Sequence, residues 1–183
     1  MRRNIELKAK LVSLDFAHAT ARSIGAERYG IERQRDTYFP AARGRLKLRE
    51  RWTSDDNGAE PHASPAQLIA YDRCDAAVPR PSDYRLVVVE HAAELRDALA
   101  ASLGTLAVVE KHRSIYIHNQ VRIHLDTVAD LGFFLEFEAI VNESCDDRAA
   151  YEKISGLEKQ FGIEASNILD QSYADLILAA RAI

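Results

Sequence analysis

Glu6 and Lys8 stand two residues apart in Asn4-Ile5-Glu6-Leu7-Lys8-Ala9-Lys10, and Glu136 and Glu138 do the same in Phe133-Phe134-Leu135-Glu136-Phe137-Glu138-Ala139-Ile140. In a β-strand successive side chains point to opposite faces, so each pair shares one face while Ile5, Leu7, Ala9, Leu135, Phe137 and Ala139 share the other. Carboxylates so paired are oxygen ligands for a hard divalent cation, and such cations commonly bridge one or two carboxylates to phosphate groups. The same alternation recurs with basic residues. Arg45, Lys47 and Arg49 share a face, as do Lys111 and Arg113, which alternate with Glu110 and His112. Arg122, His124 and Asp126 oppose Val121, Ile123 and Leu125. Arg and Lys are the side chains that grip phosphate oxygens.

Strands must position these groups. The patterning predicts eight of them, over Ile5–Val12, Ile31–Phe39, Arg45–Trp52, Gln67–Arg73, Tyr84–Glu90, Leu106–Ile117, Val121–Val128 and Phe133–Val141. The short connections at 118–120 and 129–132 suit antiparallel hairpins. Helical spacing recurs after Leu14 up to Gly25, over His91–Leu103, over Asp146–Phe161 and over Tyr173–Ala182. Thr53 to Pro65, rich in Asp, Asn, Gly and Pro, is expected to be an exposed loop. Helices do not alternate regularly with strands, so the fold class is α+β, and eight antiparallel strands can close into a β-barrel.

A charged strand face has two readings. One face of an antiparallel sheet often meets water, and any single strand here fits that description. The helices at 91–103 and 146–161, however, carry apolar stripes that must be buried, and the apolar strand faces are the available surface. Helices packed outside a barrel turn the charged faces inward. That interior holds both signs, which relieves the repulsion and desolvation that a purely cationic lining would suffer. A divalent cation on the carboxylates and a polyanion on the cations would satisfy it further. A lipid-carrying barrel would need an apolar lining, the inverse parity.

The totals narrow the class. At 183 residues one domain, spanning 1–183, is expected, and 47% hydrophobic with 28% charged residues is the composition of a folded globular protein. A formal net charge of −4 offers no general basic field for nucleic acid. Cys74 and Cys145 have no metal-type spacing, and the six histidines form no His-Glu-x-x-His pattern. No signal-peptide core and no long apolar stretch is present, which predicts a soluble cytoplasmic protein with no membrane partner and leaves a homodimer open.

Read in order, Asn4-Ile5-Glu6-Leu7-Lys8, Asp36-Thr37-Tyr38-Phe39, Gly44-Arg45-Leu46-Lys47-Leu48-Arg49-Glu50, Leu68-Ile69-Ala70-Tyr71-Asp72-Arg73, Val109-Glu110-Lys111-His112-Arg113, Val121-Arg122-Ile123-His124-Leu125-Asp126 and Leu135-Glu136-Phe137-Glu138 cover nearly the whole chain. Taken together they resemble the CYTH superfamily, the triphosphate tunnel metalloenzymes, and within it the class IV adenylyl cyclase-like and thiamine triphosphatase-like branch. The resemblance implies an eight-stranded antiparallel tunnel with helices outside and Mg²⁺ or Mn²⁺ as cofactor. The implied substrate is a triphosphate: ATP, tripolyphosphate or thiamine triphosphate.

By that resemblance Glu6, Asp126, Glu136 and Glu138 are the expected metal ligands. Lys8, Arg45, Lys47, Arg49, Arg73, Lys111, Arg113 and Arg122 are the expected phosphate contacts, Arg73 the weakest of them, with Lys8 and Glu6 as catalytic candidates. The family pattern Glu-x-Glu-x-Lys is broken at Asn4, whose carbonyl oxygen can meet a metal but brings no charge. His124 reads as a satisfied strand residue, Glu110 and His112 have the wrong parity, Tyr38 and Tyr71 read as structural, and Trp52 as packing. The expected activity is conversion of ATP to cyclic AMP and pyrophosphate. The alternatives are hydrolysis of tripolyphosphate or an organic triphosphate, and a binding module without catalysis.

Overall fold

A computed structural model describes residues 2–54 and 61–181. The alternation of apolar and charged residues becomes eight strands: β1 (Arg2–Leu11), β2 (Glu27–Phe39), β3 (Arg45–Ser54), β4 (His62–Arg73), β5 (Arg80–Val89), β6 (Ala107–His118), β7 (Val121–Val128) and β8 (Gly132–Ile140). They close into a barrel in the order β1-β5-β4-β3-β2-β6-β7-β8, and β8 pairs antiparallel with β1 from Asn4↔Ile140 to Leu11↔Phe133. Closure gives each of the eight strands two neighbours, with the β1–β5 seam paired over Arg2–Glu6 and Arg80–Tyr84.

The outer face is apolar because helices cover it. Helices α1 (Leu14–Ser23) and α3 (Asp147–Gln160) lie over β1, β7 and β8. Ile5, Leu7, Ile123, Leu125, Leu135 and Phe137 are buried there against Ala17, Ala21, Ile154, Leu157 and Phe161. Each large side chain so buried contributes about 1.5–3 kcal/mol. Ser13 caps α1 by accepting from the Phe16 amide, and Asp146 caps α3 by accepting from the Ala149 amide. Helix α2 (Ala92–Leu103) lays Leu95 and Leu99 against Phe39 and Leu48, outside β2 and β3. Helix α4 (Tyr173–Arg181) has a different seat. Tyr173 and Ala174 pack on Val109, Val128 and Phe134, which share the inward parity of their strands, so α4 closes one end of the barrel.

Two turns set the register. Asn119 and Gln120 form the two-residue β6–β7 turn with φ of 49° and 67°, the left-handed pair that matches the strand twist. Gly44 has φ +61° and sits where a Cβ would collide with the Tyr71 carbonyl oxygen.

The loop expected over Thr53–Pro65 is corrected at both ends. Thr53 and Ser54 continue β3, and His62–Pro65 begin β4, with Thr53 opposite His62; residues 55–60 of that span lie outside the described residues. Cross-strand pairing extends the sheet through polar residues that carry no strand pattern of their own. Pro65 is accommodated where the register shifts between Arg49 and Arg51. Strand β2 begins at Glu27 and β5 at Arg80, each earlier than its alternation suggests, because Pro81 still pairs with Ile5 and Glu27 with Ile117. Of the last helix, residue 182 lies outside the described residues. Among the described residues no helix is long and apolar enough to cross a membrane.

Candidate active site

The inward faces of the strands enclose a cavity of about 600 Å³. Register fixes how the charges meet. Across β1, β8 and β7, Lys8 lies beside Glu136 and Glu136 beside His124; one step along, Glu6 lies beside Glu138 and Glu138 beside Arg122. On the facing wall Asp36 is opposite Arg49 and Tyr38 opposite Lys47.

One wall is a carboxylate cluster held by cations. Arg113 Nη2 donates to Glu136 Oε2 at 2.7 Å, and Lys8 Nζ is 3.5 Å from Glu136 Oε1. Burial opposes ionisation of Glu136, but Lys8, then the His124 ring and Arg113, outweigh it and hold the carboxyl well below its ordinary range. Glu6 accepts from Arg73 Nη1 at 2.8 Å. Burial, and then the charge of Glu136, push the Glu6 carboxyl up in spite of Arg73. Burial is also the main cause that lowers the Lys8 pKa, against the pull of Glu136.

The other wall is a cationic fork on one carboxylate. Arg49 clasps Asp36 with two 2.7 Å hydrogen bonds from Nε and Nη2, Lys47 Nζ donates to it at 3.0 Å, and Lys111 Nζ is 3.8 Å away. Burial of Asp36 is overcome by Arg49, Lys47 and Lys111, which keep it ionised far below the usual carboxylate range. Lys111, fully enclosed beside Arg113, has its pKa driven well down, first by burial.

Among the expected site residues, Glu6, Lys8, Lys47, Arg49, Arg73, Lys111, Arg113, Arg122, Glu136 and Glu138 all line the cavity. Arg122 stands at its exposed margin, 3.9 Å from Glu138. Arg45 is not part of the lining; it bonds Asp75 at 2.8 Å and Asp175 at 3.0 Å. Asp126 faces inward but is enclosed below the lining. Arg113 Nε and Nη2 donate to its two oxygens at 2.7 Å each, and the Tyr173 hydroxyl donates to Oδ2 at 2.8 Å. Burial is outweighed there by Arg113 and Lys111, so Asp126 stays ionised as an anchor for the cations.

Three features are missing from the sequence reading. Asp36 is one, although Glu32, Gln34, Asp36 and Tyr38 share one parity on β2 and carried the signal. Tyr173 is the second: its ring lies 3.8 Å from Lys8 Nζ and 5.0 Å from Lys111 Nζ, a cation–π floor supplied by α4. His124 is the third. It is not satisfied: its Nδ1 is buried without a hydrogen-bond partner.

Metal-binding capacity follows from the same atoms. One ligand atom each from His124, Glu136 and Glu138 lie within 4.8 Å of one another. The Asn4 Oδ1, in the same lining, is likewise a buried acceptor without a partner. Orphaned lone pairs beside two carboxylates fit a divalent cation. Beyond the charged band, Ile115 and Ile117 of β6 and Ile140 of β8 continue the inward face as an apolar stretch.

No curated protein matches the chain in sequence. Solved structures do in fold. The PH1012 protein of Pyrococcus horikoshii OT3 superposes with a TM-score of 0.72 at 23% identity, covering 96% of this chain and 99% of that one. A candidate adenylate cyclase from Vibrio parahaemolyticus does so with a TM-score of 0.69 at 17% identity, over 95% and 97% of the two chains. A candidate adenylyl cyclase from Hippeastrum, in which triphosphatase activity dominates, gives 0.61 at 13%, over 99% and 96%. The family model for the CYTH domain matches residues 2–173, the whole span that builds the barrel and its Tyr173 floor, and the chain therefore belongs to the CYTH domain family.

Proposed function

We propose that the protein is a divalent-metal-dependent enzyme acting on an organic triphosphate, with cyclisation of ATP to cyclic AMP and pyrophosphate as its reaction. The observation that carries this reading is the barrel cavity in which a carboxylate wall at Glu6, Glu136 and Glu138 faces cations at Lys47, Arg49, Lys111 and Arg113. Glu136 and Glu138, with Glu6 alongside, are suited to hold Mg²⁺ or Mn²⁺. When bound, that ion would neutralise phosphate charge and favour displacement at phosphorus.

The protein's own groups do the rest. Lys47, Arg49, Lys111 and Arg113 line the cavity and are suited to grip phosphate oxygens with the donors they turn into it. Asp36 and Asp126 keep the cations in place. Lys8, with its pKa lowered by burial, is placed to orient the attacking hydroxyl or to take up its proton. In the cyclase reaction the ribose 3′-oxygen bonds to the α-phosphorus, the bond from that phosphorus to the β-phosphate bridge breaks, and pyrophosphate leaves. The apolar stretch of Ile115, Ile117 and Ile140 supports an organic group over bare tripolyphosphate, because such side chains bury rings and repel extra charge.

A second reading is hydrolysis, in which water attacks the terminal phosphorus, the bond from that phosphorus to the bridging oxygen breaks, the diphosphate leaves and orthophosphate is formed. The Hippeastrum protein, on the same fold, supports it. One assay separates the readings. Pure protein is incubated with Mn²⁺ or Mg²⁺ and ATP, thiamine triphosphate or tripolyphosphate, and the products are identified. Cyclic AMP with pyrophosphate supports cyclisation, orthophosphate supports hydrolysis, and tight binding with no product leaves a non-catalytic triphosphate-binding module.

A further inference from the structure

We infer that His124 is a nitrogen ligand of the divalent ion at Glu136 and Glu138, and that this makes the site prefer Mn²⁺ to Mg²⁺. The inference rests on the metal-dependent reading above and adds to it a residue and a selectivity.

His124 is 3% exposed, lines the cavity from β7, and sits in register with Glu136. Its Nδ1 is 3.8 Å from Glu136 Oε2 and 3.9 Å from Glu138 Oε1. Those separations are too long for hydrogen bonds, which close at about 2.7–3.2 Å. They suit a shared ion: two ligand atoms each about 2.1 Å from one cation lie at most about 4.2 Å apart. The nitrogen is also without any other partner. A buried polar atom left unmade costs about 1–3 kcal/mol, and a divalent ion shared with the two carboxylates would satisfy this nitrogen.

The selectivity follows from ligand chemistry. Mg²⁺ favours oxygen donors and keeps most of its waters, whereas a transition metal gains from an imidazole nitrogen. A wall of carboxylates alone would discriminate weakly. The departure at Asn4 removes one carboxylate from the family pattern, and the nitrogen at His124 supplies a neutral donor in the same enclosure.

The test uses the whole protein without substrate. Mn²⁺ is titrated in and free Mn²⁺ is followed by electron paramagnetic resonance, with Mg²⁺ as competitor. Pulsed spectra of the bound Mn²⁺ are then compared between protein carrying natural and ¹⁵N-labelled histidine. The expected result is a directly coupled ¹⁴N signal that changes with labelling and is absent in Glu136→Gln. His124→Gln is expected to lose about tenfold or more in Mn²⁺ affinity while Mg²⁺ affinity changes by less than about threefold. The labelled wild type carries the test even where the variant does not fold. Bound Mn²⁺ with no nitrogen coupling, or equal losses for the two ions, overturns the role of His124 and leaves the metal-dependent reading standing. No Mn²⁺ binding at all overturns both, whereas triphosphate turnover in the presence of chelator overturns the metal reading alone.

Discussion

Replacing Asp36 by Ala tests whether the cationic wall is held by its own buried carboxylate. The Asp36 side chain is fully enclosed, and it neutralises Arg49 at 2.7 Å, Lys47 at 3.0 Å and Lys111 at 3.8 Å. The side chains of those cations are 15%, 12% and 2% exposed, so water replaces the lost carboxylate poorly. Removing one partner of a buried ion pair costs about 3–5 kcal/mol, because the remaining charges stay desolvated and repel one another. In a domain of this size each kcal/mol moves Tm by about 2–4 °C, so Asp36→Ala should lower Tm by about 6–20 °C. Thermal unfolding followed by circular dichroism measures this. The same experiment with tripolyphosphate is the sharper half. A polyanion that occupies the vacated fork at about 100 times its Kd adds about 2.7 kcal/mol, and it should rescue the variant by more than it raises the wild type. A fall in Tm smaller than about 3 °C would show that the fork is hydrated and not compensated by Asp36. A rescue no larger than in wild type would mean that the phosphates bind elsewhere.

Acidification gives a second check with a definite sign. Asp36 titrates near 3.8 when unfolded and well below that when folded, so the unfolded chain takes the proton first. The stability it contributes is therefore complete above about pH 4 and drains away as the pH falls toward the folded value; denaturation midpoints should show a steeper acid loss in wild type than in Asp36→Asn. Glu136→Gln should lower metal-dependent turnover by about 100-fold or more while circular dichroism stays native-like, since a ligand is lost but the amide still accepts from Arg113; unchanged turnover would remove Glu136 from the site. Asn4→Glu restores the missing carboxylate beside Ser82 and Ile140. It should raise Mn²⁺ affinity by about tenfold, read by calorimetry, and no gain would place the ion away from β1. Ile117→Arg puts a charge on the apolar stretch and should weaken ATP or thiamine triphosphate in KM while sparing tripolyphosphate; equal effects on all three would put the organic group elsewhere.

Alternation in the sequence determined which faces are charged and which are apolar. Glu6 with Lys8, Lys47 with Arg49, Lys111 with Arg113 and Glu136 with Glu138 could be assigned to one side of their strands because a strand's side-chain period is two and needs no tertiary knowledge. The apolar stripes of α2 and α3 then required a surface to cover, which turned those charges inward. Three things only the closed barrel decided. The extents of β2, β4 and β5 exceed their patterns, because pairing with a neighbour recruits Pro81, His62 and Glu27 irrespective of their own propensity. The partners of each charge depend on register and on which strands meet at closure: Arg45 turns to Asp75 and Asp175, Arg113 clasps Asp126, and Asp36 gathers three cations from two other strands. Tyr173 reaches the floor of the cavity only because α4 packs across the barrel's end, and His124 meets Glu136 only because β7 pairs with β8 one-to-one. Parity is a local property of the backbone, whereas who faces whom depends on the register between paired strands and on which strands meet when the barrel closes.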